Sequence, residues 1–357
     1  MSGGTPPTHA TLGAVPPLPV LVLNLDGRRW LAPCFASLRA AAAAARGAGI
    51  ELEPWLVDNG SRDGSVDLVR AEFPEVRVVA LGANLGFAGA YDRVLRDEAL
   101  LGDVPLVALL NNDVRVAPGW LPPLVAAIAP DDVAICGSRM LSGDGTRVDH
   151  AGGQVAVIGG GVDVDKYALA AATSSPPHAT GFACGGALLL KRRLYLELGG
   201  FDPAYVIYHE DVDLSWRAWL LGYRVLHVPA SVVCHEGGAL MGAAESPRRL
   251  FLSQRNRLRN LVRLSGPGRL AAGLGVAAAF DLVRAGSFAV RGDHSRLRAL
   301  LEADRDVALE LPRLWRDRAA LQSRRVRDDA ALGRAGVFAS LGDSVRAFFD
   351  QRRTASP

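Results

Sequence analysis

The sequence predicts an α/β protein with a doubly wound, mainly parallel sheet and a helical C-terminal extension. Short apolar runs alternate with helical patterns up to Ser138. Such alternation is typical of parallel βαβ units whose sheet is covered by helices on both faces. Beyond about Pro247 the chain is rich in Arg and Leu at helical spacing and shows few strand signals, which predicts the helical extension.

Five strands are predicted in the first part, and helices follow four of them. The strands are VLVLNL (20–25), LEPWLV (52–57), VRVVAL (76–81), VPLVALL (104–110) and VAICGS (133–138). Helices are predicted up to about Arg46, over 65–71, up to about Asp97 and after Pro118-Gly119-Trp120. Residues 159–180 have no periodicity and predict an irregular loop.

Polar side chains follow each of the first four predicted strands. They are Asn24 and Asp26, then Asp58-Asn59-Gly60-Ser61, then Asn84, and last Asn111-Asn112-Asp113. Any one of these groups could be only a turn, since Asn and Asp suit turn geometry. The carboxyl ends of parallel strands meet at one edge of a sheet, where α/β proteins bind ligands. Four polar strand ends together therefore favour a ligand site.

The sequence lacks the loops that commonly bind phosphate groups directly. It contains neither Gly-x-x-x-x-Gly-Lys-Ser/Thr nor Gly-x-Gly-x-x-Gly, which argues against a P-loop ATPase and a dinucleotide dehydrogenase. An acidic strand end without such a loop suggests that a divalent metal holds a diphosphate. Mg²⁺ in proteins typically binds one or two carboxylates together with phosphate oxygens.

Charge is unevenly distributed along the chain. The net charge is only +3, yet the segment from Arg248 to Arg327 contains 18 arginines and 7 acidic residues. A basic extension indicates an anionic partner, a membrane surface or nucleic acid, and a solvated helical face is the simpler alternative. A membrane surface and a packing or dimerisation role both stay open for this extension, and nucleic acid is not expected.

Targeting and cysteine signals predict a cytoplasmic protein. The four cysteines are far apart and include no Cys-x-x-Cys pair, which predicts reduced, buried thiols. The N-terminal residues predict a disordered tail without a signal-peptide pattern. The longest apolar stretch, Leu270 to Phe280, is short for a bilayer span and is flanked by Arg269, Asp281 and Arg284. No transmembrane helix is expected.

Five segments match motifs that a known enzyme family carries in the same order. They are VDNGSRDGS (57–65), NLGFAGAYDRV (84–94), LLNNDV (109–114), GGFDPAYVIYHEDVDLSWRAWLLGYRV (199–225) and VCHEGG (233–238). These motifs resemble family 2 glycosyltransferases of the GT-A fold, and among them the bacterial rhamnosyltransferase-like subgroup. The resemblance implies a disordered tail over 1–17, a catalytic domain over 18–245 and a basic helical extension over 246–357.

The resemblance also implies an activity. The implied activity is inverting, metal-dependent transfer of a sugar. It is expected to be non-processive, because SWRAW (215–219) lacks the Gln-x-x-Arg-Trp motif of processive relatives. The expected donor is dTDP-rhamnose or else a UDP-sugar, with Mg²⁺ or Mn²⁺. The acceptor is a hydroxyl of a glycan, a glycolipid or a secondary metabolite. Peripheral contact with the inner face of the membrane, or a homodimer, would give the extension its role.

Matching positions take roles from the family. Asp211 is the expected catalytic base, and Asp113 and His235 are the expected metal ligands, with contact to the diphosphate as an alternative for His235. Donor binding is expected from Asn24, Asp26, Asp58, Asn84, Asn111, Asn112 and Glu210. Two departures, Asn24-Leu25-Asp26 for Asn-Tyr-Asn and Tyr91-Asp92 for an Asn pair, fall near the expected donor pocket.

Structural alternatives accompany these assignments. Asp58 could serve simply to close a turn. HEDVD (209–213) could serve simply as the start of a helix, where acidic residues suit the helix dipole, and Asp213 fits that structural role. Trp216 and Trp219 are expected in the core, and the arginines at 255, 257 and 259 are expected at the surface. For the whole chain, the alternatives are an inactive GT-A scaffold that binds nucleotide-sugar or glycan, and a nucleotidyltransferase on a related fold.

Overall fold

The computed structural model describes residues 16–170, 175–237 and 245–346. The strands are β1 (Leu18–Asn24), β2 (Leu52–Asp58), β3 (Arg77–Ala80), β4 (Leu106–Asn111), β5 (Val114–Val116), β6 (Val133–Ser142), β7 (Val148–His150), β8 (Gly153–Val155), β9 (Gly161–Asp163), β10 (His178–Ala179), β11 (Ala187–Lys191) and β12 (Arg224–His235). The helices are α1 (Arg28–Gly47), α2 (Ser65–Glu72), α3 (Gly86–Leu95), α4 (Glu98–Leu101), α5 (Leu121–Ile128), α6 (Arg192–Glu197), α7 (Glu210–Leu220), α8 (Pro247–Leu264), α9 (Pro267–Val290), α10 (His294–Ser323) and α11 (Asp329–Arg334).

Within the described residues, the central sheet has ten strands in a mixed arrangement. Its main path runs β10-β12-β6-β11-β4-β1-β2-β3, with β5 beside β12 and β7 beside β6. Strands β4, β1, β2 and β3 are parallel, whereas β11 runs antiparallel to both β4 and β6. The predicted mainly parallel α/β sheet with C-terminal helices is confirmed.

Strand register brings the polar strand ends together. Asn24 is the residue paired with Asp58 across β1 and β2, and Leu23 pairs with Asn111 across β1 and β4. The residues before these ends are buried on both faces of the sheet, because helices cover both sides. The polar side chains therefore begin where the apolar cover ends.

Part of the expected irregular loop is ordered. β9 pairs antiparallel with β8, and residues 178–179 pair with β12 at the sheet edge. Residues 171–174 of that loop lie outside the described part. The long polar connection hid these strands, since each has only two or three residues and lacks an apolar alternation.

The extension packs closely on the rest of the chain. Helices α8 and α10 lie against each other, and the segment after α11 returns to the main core through Val337, whose carbonyl accepts from Val155 N at 2.8 Å. The arginines of α8 do not form a surface run: Arg257 and Arg259 are 5% and 3% exposed. The expectation of a solvated face at these positions is wrong, because acidic partners from α9 and α10 cover them.

Helix α9 exceeds the apolar stretch expected from the sequence. With 24 residues it continues ten residues past Phe280, and by length and composition it could cross a membrane. The expectation of no such helix was therefore too strict, although a single helix of this kind is weak evidence for a span. The charged side chains at 269, 281 and 284 contact the protein instead of ending the helix.

Candidate active site

The ends of β1, β2 and β4 bring three of the expected donor-binding residues into one hydrogen-bonded cluster. Asn24 Nδ2 donates to Asp58 Oδ1 at 3.4 Å and to Ser61 Oγ at 2.9 Å. Asn112 Nδ2 donates to Asn24 Oδ1 at 2.6 Å. Asn24 and Asp58 are both buried. The cluster is thus a fixed polar floor at the edge of the sheet.

The carboxylate of Asp58 also closes the turn after β2. Its Oδ2 accepts from the backbone N–H groups of Gly60 at 3.3 Å and Ser61 at 3.1 Å. Gly60 has φ +89°, a left-handed conformation that favours glycine. The turn role considered for Asp58 is therefore present, and recognition of a nucleotide base by the same carboxylate stays a prediction.

An open cleft of about 900 Å³ lies beside this cluster. Asp26, Arg28, Trp30 and Asn112 are among its lining residues. The side chain of Asp26 accepts a hydrogen bond from Arg62 N at 2.7 Å. This contact holds the loop that follows β2 against the end of β1. The volume is within the range of small-molecule sites, and arginines at its wall suit an anionic ligand.

Asn84 lies in a different hydrogen-bonded loop. Its Oδ1 accepts from Asn59 Nδ2 at 3.2 Å and from Gly86 N at 2.9 Å, just before α3 begins. These contacts give the side chain a role in shaping the loop. Donor contact by Asn84 stays a prediction.

Asp113 and His235 lie next to each other, as the metal-site expectation requires. His235 Nε2 is 3.3 Å from Asp113 Oδ2, because β5 and β12 pair directly after Asp113 and before Glu236. Asp113 Oδ1 is buried and has no hydrogen-bond partner among the described residues. A Cβ on Gly237 would collide with Asp113 Oδ2, so a larger residue there would displace this carboxylate.

Asp113 and His235 could supply only part of the coordination of a divalent metal, and a bound ligand would have to supply the rest. A carboxylate oxygen without a partner and an imidazole are groups that Mg²⁺ or Mn²⁺ accepts. Among the described residues, however, there is no group of three His, Cys, Asp or Glu that could hold a metal ion. The remaining positions would come from diphosphate oxygens and water, the usual arrangement for Mg²⁺ with nucleotides.

Asp149 supports the imidazole from behind. His235 Nδ1 donates to Asp149 Oδ2 at 2.7 Å, and Lys166 Nζ lies 3.3 Å from Asp149 Oδ1. Burial lowers the pKa of His235, but the hydrogen bonds to Asp113 and Asp149 outweigh it and raise the pKa to about 9. Asp149 was not predicted from the sequence. The only available signal was an acidic residue in the short VDH segment that forms β7, and the sequence does not show which strand β7 pairs with.

Asp211, the expected base, is tied to the end of β4. Its Oδ2 accepts from Gly185 N at 3.1 Å, and its Oδ1 accepts from Val212 N at 2.8 Å. The next residue, Gly186, accepts from Asn111 N at 2.9 Å. Burial raises the pKa of Asp211 by more than these N–H groups lower it. The Gly185–Gly186 turn therefore places the carboxylate at the same edge as the polar cluster.

The two acidic neighbours of Asp211 differ in environment. Glu210 is 5% exposed, and its Oε2 has no partner among the described residues. Burial, and next the charge of Asp211, raise the pKa of Glu210 well above its ordinary value. Asp213 instead pairs with Arg217 at 2.5 Å and Arg263 at 3.0 Å, which is the structural role expected for it.

Comparison with known proteins identifies the family. The model of "Glycosyl transferase family 2" matches residues 20–199. The chain belongs to this family. A relative from Mycobacterium tuberculosis, N-acetylglucosaminyl-diphospho-decaprenol L-rhamnosyltransferase, is 30% identical over 202 residues, which are 50% of this chain and 65% of that protein. Polypeptide N-acetylgalactosaminyltransferase 10 of Mus musculus is 29% identical over 46% of this chain and 28% of its own length.

Solved structures show the same fold at low sequence identity. A Pyrobaculum calidifontis mannosyltransferase in complex with GDP-Man and Mn²⁺ superposes with a TM-score of 0.50 at 15% identity, over 94% of this chain and 86% of that one. S. aureus TarS 1–349 with UDP gives a TM-score of 0.51 at 15% identity, over 94% of this chain and 91% of that one. This glycosyltransferase therefore has the GT-A fold expected from its motifs.

The two departures from the family pattern have different places in this glycosyltransferase. Asp26 lies at the cleft, as described above, whereas Tyr91 is buried and donates to Leu110 O at 3.0 Å. Asp92 accepts from Arg96 Nε at 2.8 Å and from Tyr195 Oη at 2.7 Å. Tyr91 therefore joins α3 to the sheet and Asp92 joins α3 to α6. The expectation that both positions lie near the donor pocket stays a prediction. Trp216 and Trp219 are buried in the core, as expected.

A strained segment leads into the helix that carries Asp211. Val206, Tyr208 and His209 have φ values of +64°, +75° and +65°. For non-glycine residues such conformations cost on the order of 1–3 kcal/mol each and persist only where the surroundings enforce them. Val206 O accepts from Phe87 N at 2.6 Å, so the segment also contacts the start of α3. The strain lies directly between the two helices at the candidate site.

Proposed function

We propose that this glycosyltransferase catalyses inverting, metal-dependent and non-processive transfer of a sugar from a nucleotide-diphospho-sugar to an acceptor hydroxyl. The observation that carries the proposal is the arrangement of two carboxylates at one sheet edge. Asp113 has a buried oxygen without a partner beside His235, and Asp211 is joined to the same strand end through Gly185–Gly186. One carboxylate faces a diphosphate, and the other faces the attacking acceptor.

The proposed mechanism assigns a separate task to each group. Asp113 and His235 would hold the metal, which when bound supplies positive charge to the departing nucleoside diphosphate. Asn24, Asp58 and Asn112 form the floor that orients the nucleoside. Asp211 accepts the proton of the acceptor hydroxyl as its oxygen attacks the anomeric carbon from the face opposite the leaving group. Attack from that face inverts the anomeric configuration.

The best candidate for the donor is dTDP-rhamnose, with a UDP-sugar as the alternative. Support comes from the motifs of the rhamnosyltransferase-like subgroup and from the Mycobacterium tuberculosis relative, whose name states rhamnosyl transfer to a decaprenol-linked acceptor. The chain matches 65% of that relative, so its substrate is carried over only as a proposal. The acceptor we propose is accordingly a lipid-linked glycan, handled at the cytoplasmic face of a membrane.

Product analysis with a donor panel tests this function. The protein is incubated with dTDP-rhamnose, UDP-sugars and GDP-mannose, with Mg²⁺ or Mn²⁺, and with lipid-linked and free glycan acceptors. Mass spectrometry is expected to show an acceptor heavier by one sugar and a released nucleoside diphosphate. Donor binding without any transfer would favour the inactive scaffold. Conversion of the donor into a nucleoside triphosphate and a sugar 1-phosphate when pyrophosphate is added would favour the nucleotidyltransferase.

Helix α9 supports contact with a lipid surface. Its exposed positions between residues 271 and 290 carry only Leu, Val, Ala and Gly, while its three charged side chains contact the protein. This face is about 30 Å long at 1.5 Å per residue. The exposed side of α10 differs, because it carries charged pairs such as Arg298–Glu302. An uncharged face of this length suits the interfacial region of a bilayer.

Four of the basic residues contribute less to this contact than the sequence indicated. Arg255, Arg257 and Arg259 each pair with an acidic residue of the extension, and Arg284 pairs with Glu245. Charges that are already neutralised inside the protein add little attraction to an anionic membrane. Membrane contact is therefore expected to depend mainly on the apolar face of α9 and only weakly on salt.

A charged substitution on the exposed face of α9 is expected to weaken binding of the protein to lipid vesicles. Leu282 is 76% exposed on α9, and Leu309, at 67%, is a matched control on α10. Leu282→Glu should weaken co-sedimentation with anionic vesicles by roughly tenfold or more, because burying one Leu contributes about 1.5–3 kcal/mol. Leu309→Glu should leave it unchanged. Binding that raised salt abolishes in the parent protein, or a parent dimer that only Leu282→Glu dissociates, would contradict lipid contact through α9.

A further inference from the structure

Helix α8 of the extension binds the strained segment that precedes Asp211. Asn256 is fully buried, and its Nδ2 lies 2.9, 3.0 and 2.8 Å from the carbonyl oxygens of Tyr205, Ile207 and Tyr208. These three acceptors lie within four consecutive residues, so one amide group fixes the path of the backbone from Tyr205 to Tyr208. The two N–H groups of the amide are shared among these three carbonyls, and an Ala at this position would leave them without this donor.

A second amide on the same helix continues the contact. Asn260 is also fully buried; its Oδ1 accepts from Tyr205 Oη at 2.6 Å, and its Nδ2 donates to His209 O at 3.3 Å. Ser253 adds a hydrogen bond of 3.0 Å to the ring of His209. The carbonyl of Ala204 accepts from two α8 arginines, Arg255 at 2.6 Å and Arg259 at 2.8 Å.

Together these contacts account for the backbone carbonyls of residues 204–209. The carbonyl of Val206 is the one in this segment that α8 does not bind; it accepts from Phe87 N and Ala88 N of α3 instead. A β-branched residue such as Val206, at φ +64°, would leave the left-handed region without such support. The segment ends at His209, two residues before Asp211, so its conformation determines where the carboxylate lies.

We propose that Asn256 and Asn260 are positioning residues that hold residues 204–209, in which Val206, Tyr208 and His209 have positive φ, and thereby place Asp211. This inference rests on the proposed function for the role of Asp211 as base. The C-terminal extension then has a part in the reaction: without α8, the segment relaxes and the carboxylate moves away from Gly185 N. Misplacement of a reacting group by about 1 Å can lower a rate by up to about 10²-fold.

The test compares Asn256→Ala with Gln254→Ala. Gln254 is an equally buried amide on the same helix, but its Nε2 donates to Asp281 and Asp304 within the extension. Both variants should lose thermal stability. Asn256→Ala alone should lower kcat, by roughly 10–10²-fold, with little change in donor KM. An equal loss of kcat in both variants, or none in Asn256→Ala, would overturn the proposal.

Two further measurements keep the test decisive. Hydrogen exchange over residues 204–212 should accelerate in Asn256→Ala and not in Gln254→Ala, a readout that does not require activity. Adding Val206→Gly, which removes the penalty of a left-handed Val, should restore part of the lost kcat without restoring the amide. If Asn256→Ala does not fold, Asn260→Ala replaces it with the same expectations. Unchanged exchange in a folded variant would refute the positioning role, whereas a parent protein without transferase activity would refute only the proposed function.

Discussion

Replacing Asp211 with asparagine is expected to lower turnover by roughly 10²–10⁴-fold, the range for losing a general base. Donor affinity should stay near that of the parent protein, because the donor cluster of Asn24, Asp58 and Asn112 does not contact Asp211 among the described hydrogen bonds. Steady-state kinetics with saturating acceptor, together with donor titration, measure the two effects separately. A variant that loses donor binding and keeps its rate would assign Asp211 to the donor or the metal.

Stability provides the control for this variant. Burial raises the pKa of Asp211 above its ordinary value, so ionising this carboxyl costs more free energy in the folded protein than in the unfolded chain. A carboxyl whose pKa is higher in the folded state than in the unfolded state lowers the free energy of unfolding when it is ionised at neutral pH. The neutral amide of Asp211→Asn removes this penalty, but its NH2 group cannot accept one of the two backbone N–H groups that Asp211 accepts. The two effects oppose each other, so the thermal midpoint should change little. A large fall in the midpoint would mean that the kinetic loss reflects misfolding.

Replacing Asp113 with alanine is expected to abolish metal-dependent donor binding and turnover while the fold remains intact. The reason is that Asp113 contributes the only buried carboxylate oxygen without a partner beside His235 in the described part of the chain. Electron paramagnetic resonance of free Mn²⁺, in the presence of a nucleoside diphosphate, measures how much metal the protein takes up. Normal uptake and turnover by the variant would show that the metal site lies elsewhere.

Asp149→Asn is the matched comparison for that experiment. Its carboxylate contacts His235 from the side away from Asp113 and is not expected to touch the metal. Loss of such a supporting carboxylate typically lowers metal affinity about 10–100-fold. Partial Mn²⁺ uptake by Asp149→Asn and none by Asp113→Ala would distinguish support from direct binding.

The sheet and its polar edge were predictable because both are local in sequence. β1 and β4 are apolar runs and β2 is apolar from Pro54 onward, and these three strands end in Asn or Asp at the point where helices no longer cover them. The register that aligns Asn24 with Asp58 follows from the parallel pairing of runs of equal length. Fold and donor-side cluster therefore followed from patterns of a few residues.

Contacts between distant segments were not predictable in the same way. The arginines of α8 were expected in solvent, since helical spacing cannot show that Arg257 meets Asp281 of the next helix. Asp149 was missed for the same reason: its partner His235 lies 86 residues later and reaches it only through the pairing of β6 with β7 and β12. The left-handed residues before Asp211 had no sequence signal either, because Val and Tyr rarely adopt that conformation.

Calorimetric titration of the parent protein with dTDP-rhamnose and UDP-sugars tests the central claim most directly. The sheet edge with Asp113, His235 and Asp211 is expected to bind at least one of these donors in the presence of Mn²⁺ or Mg²⁺ and to lose that binding when the metal is chelated. Donor binding that is equally strong after chelation, or absence of binding for every nucleotide-sugar with either metal, would contradict a metal-dependent glycosyltransferase site at this edge.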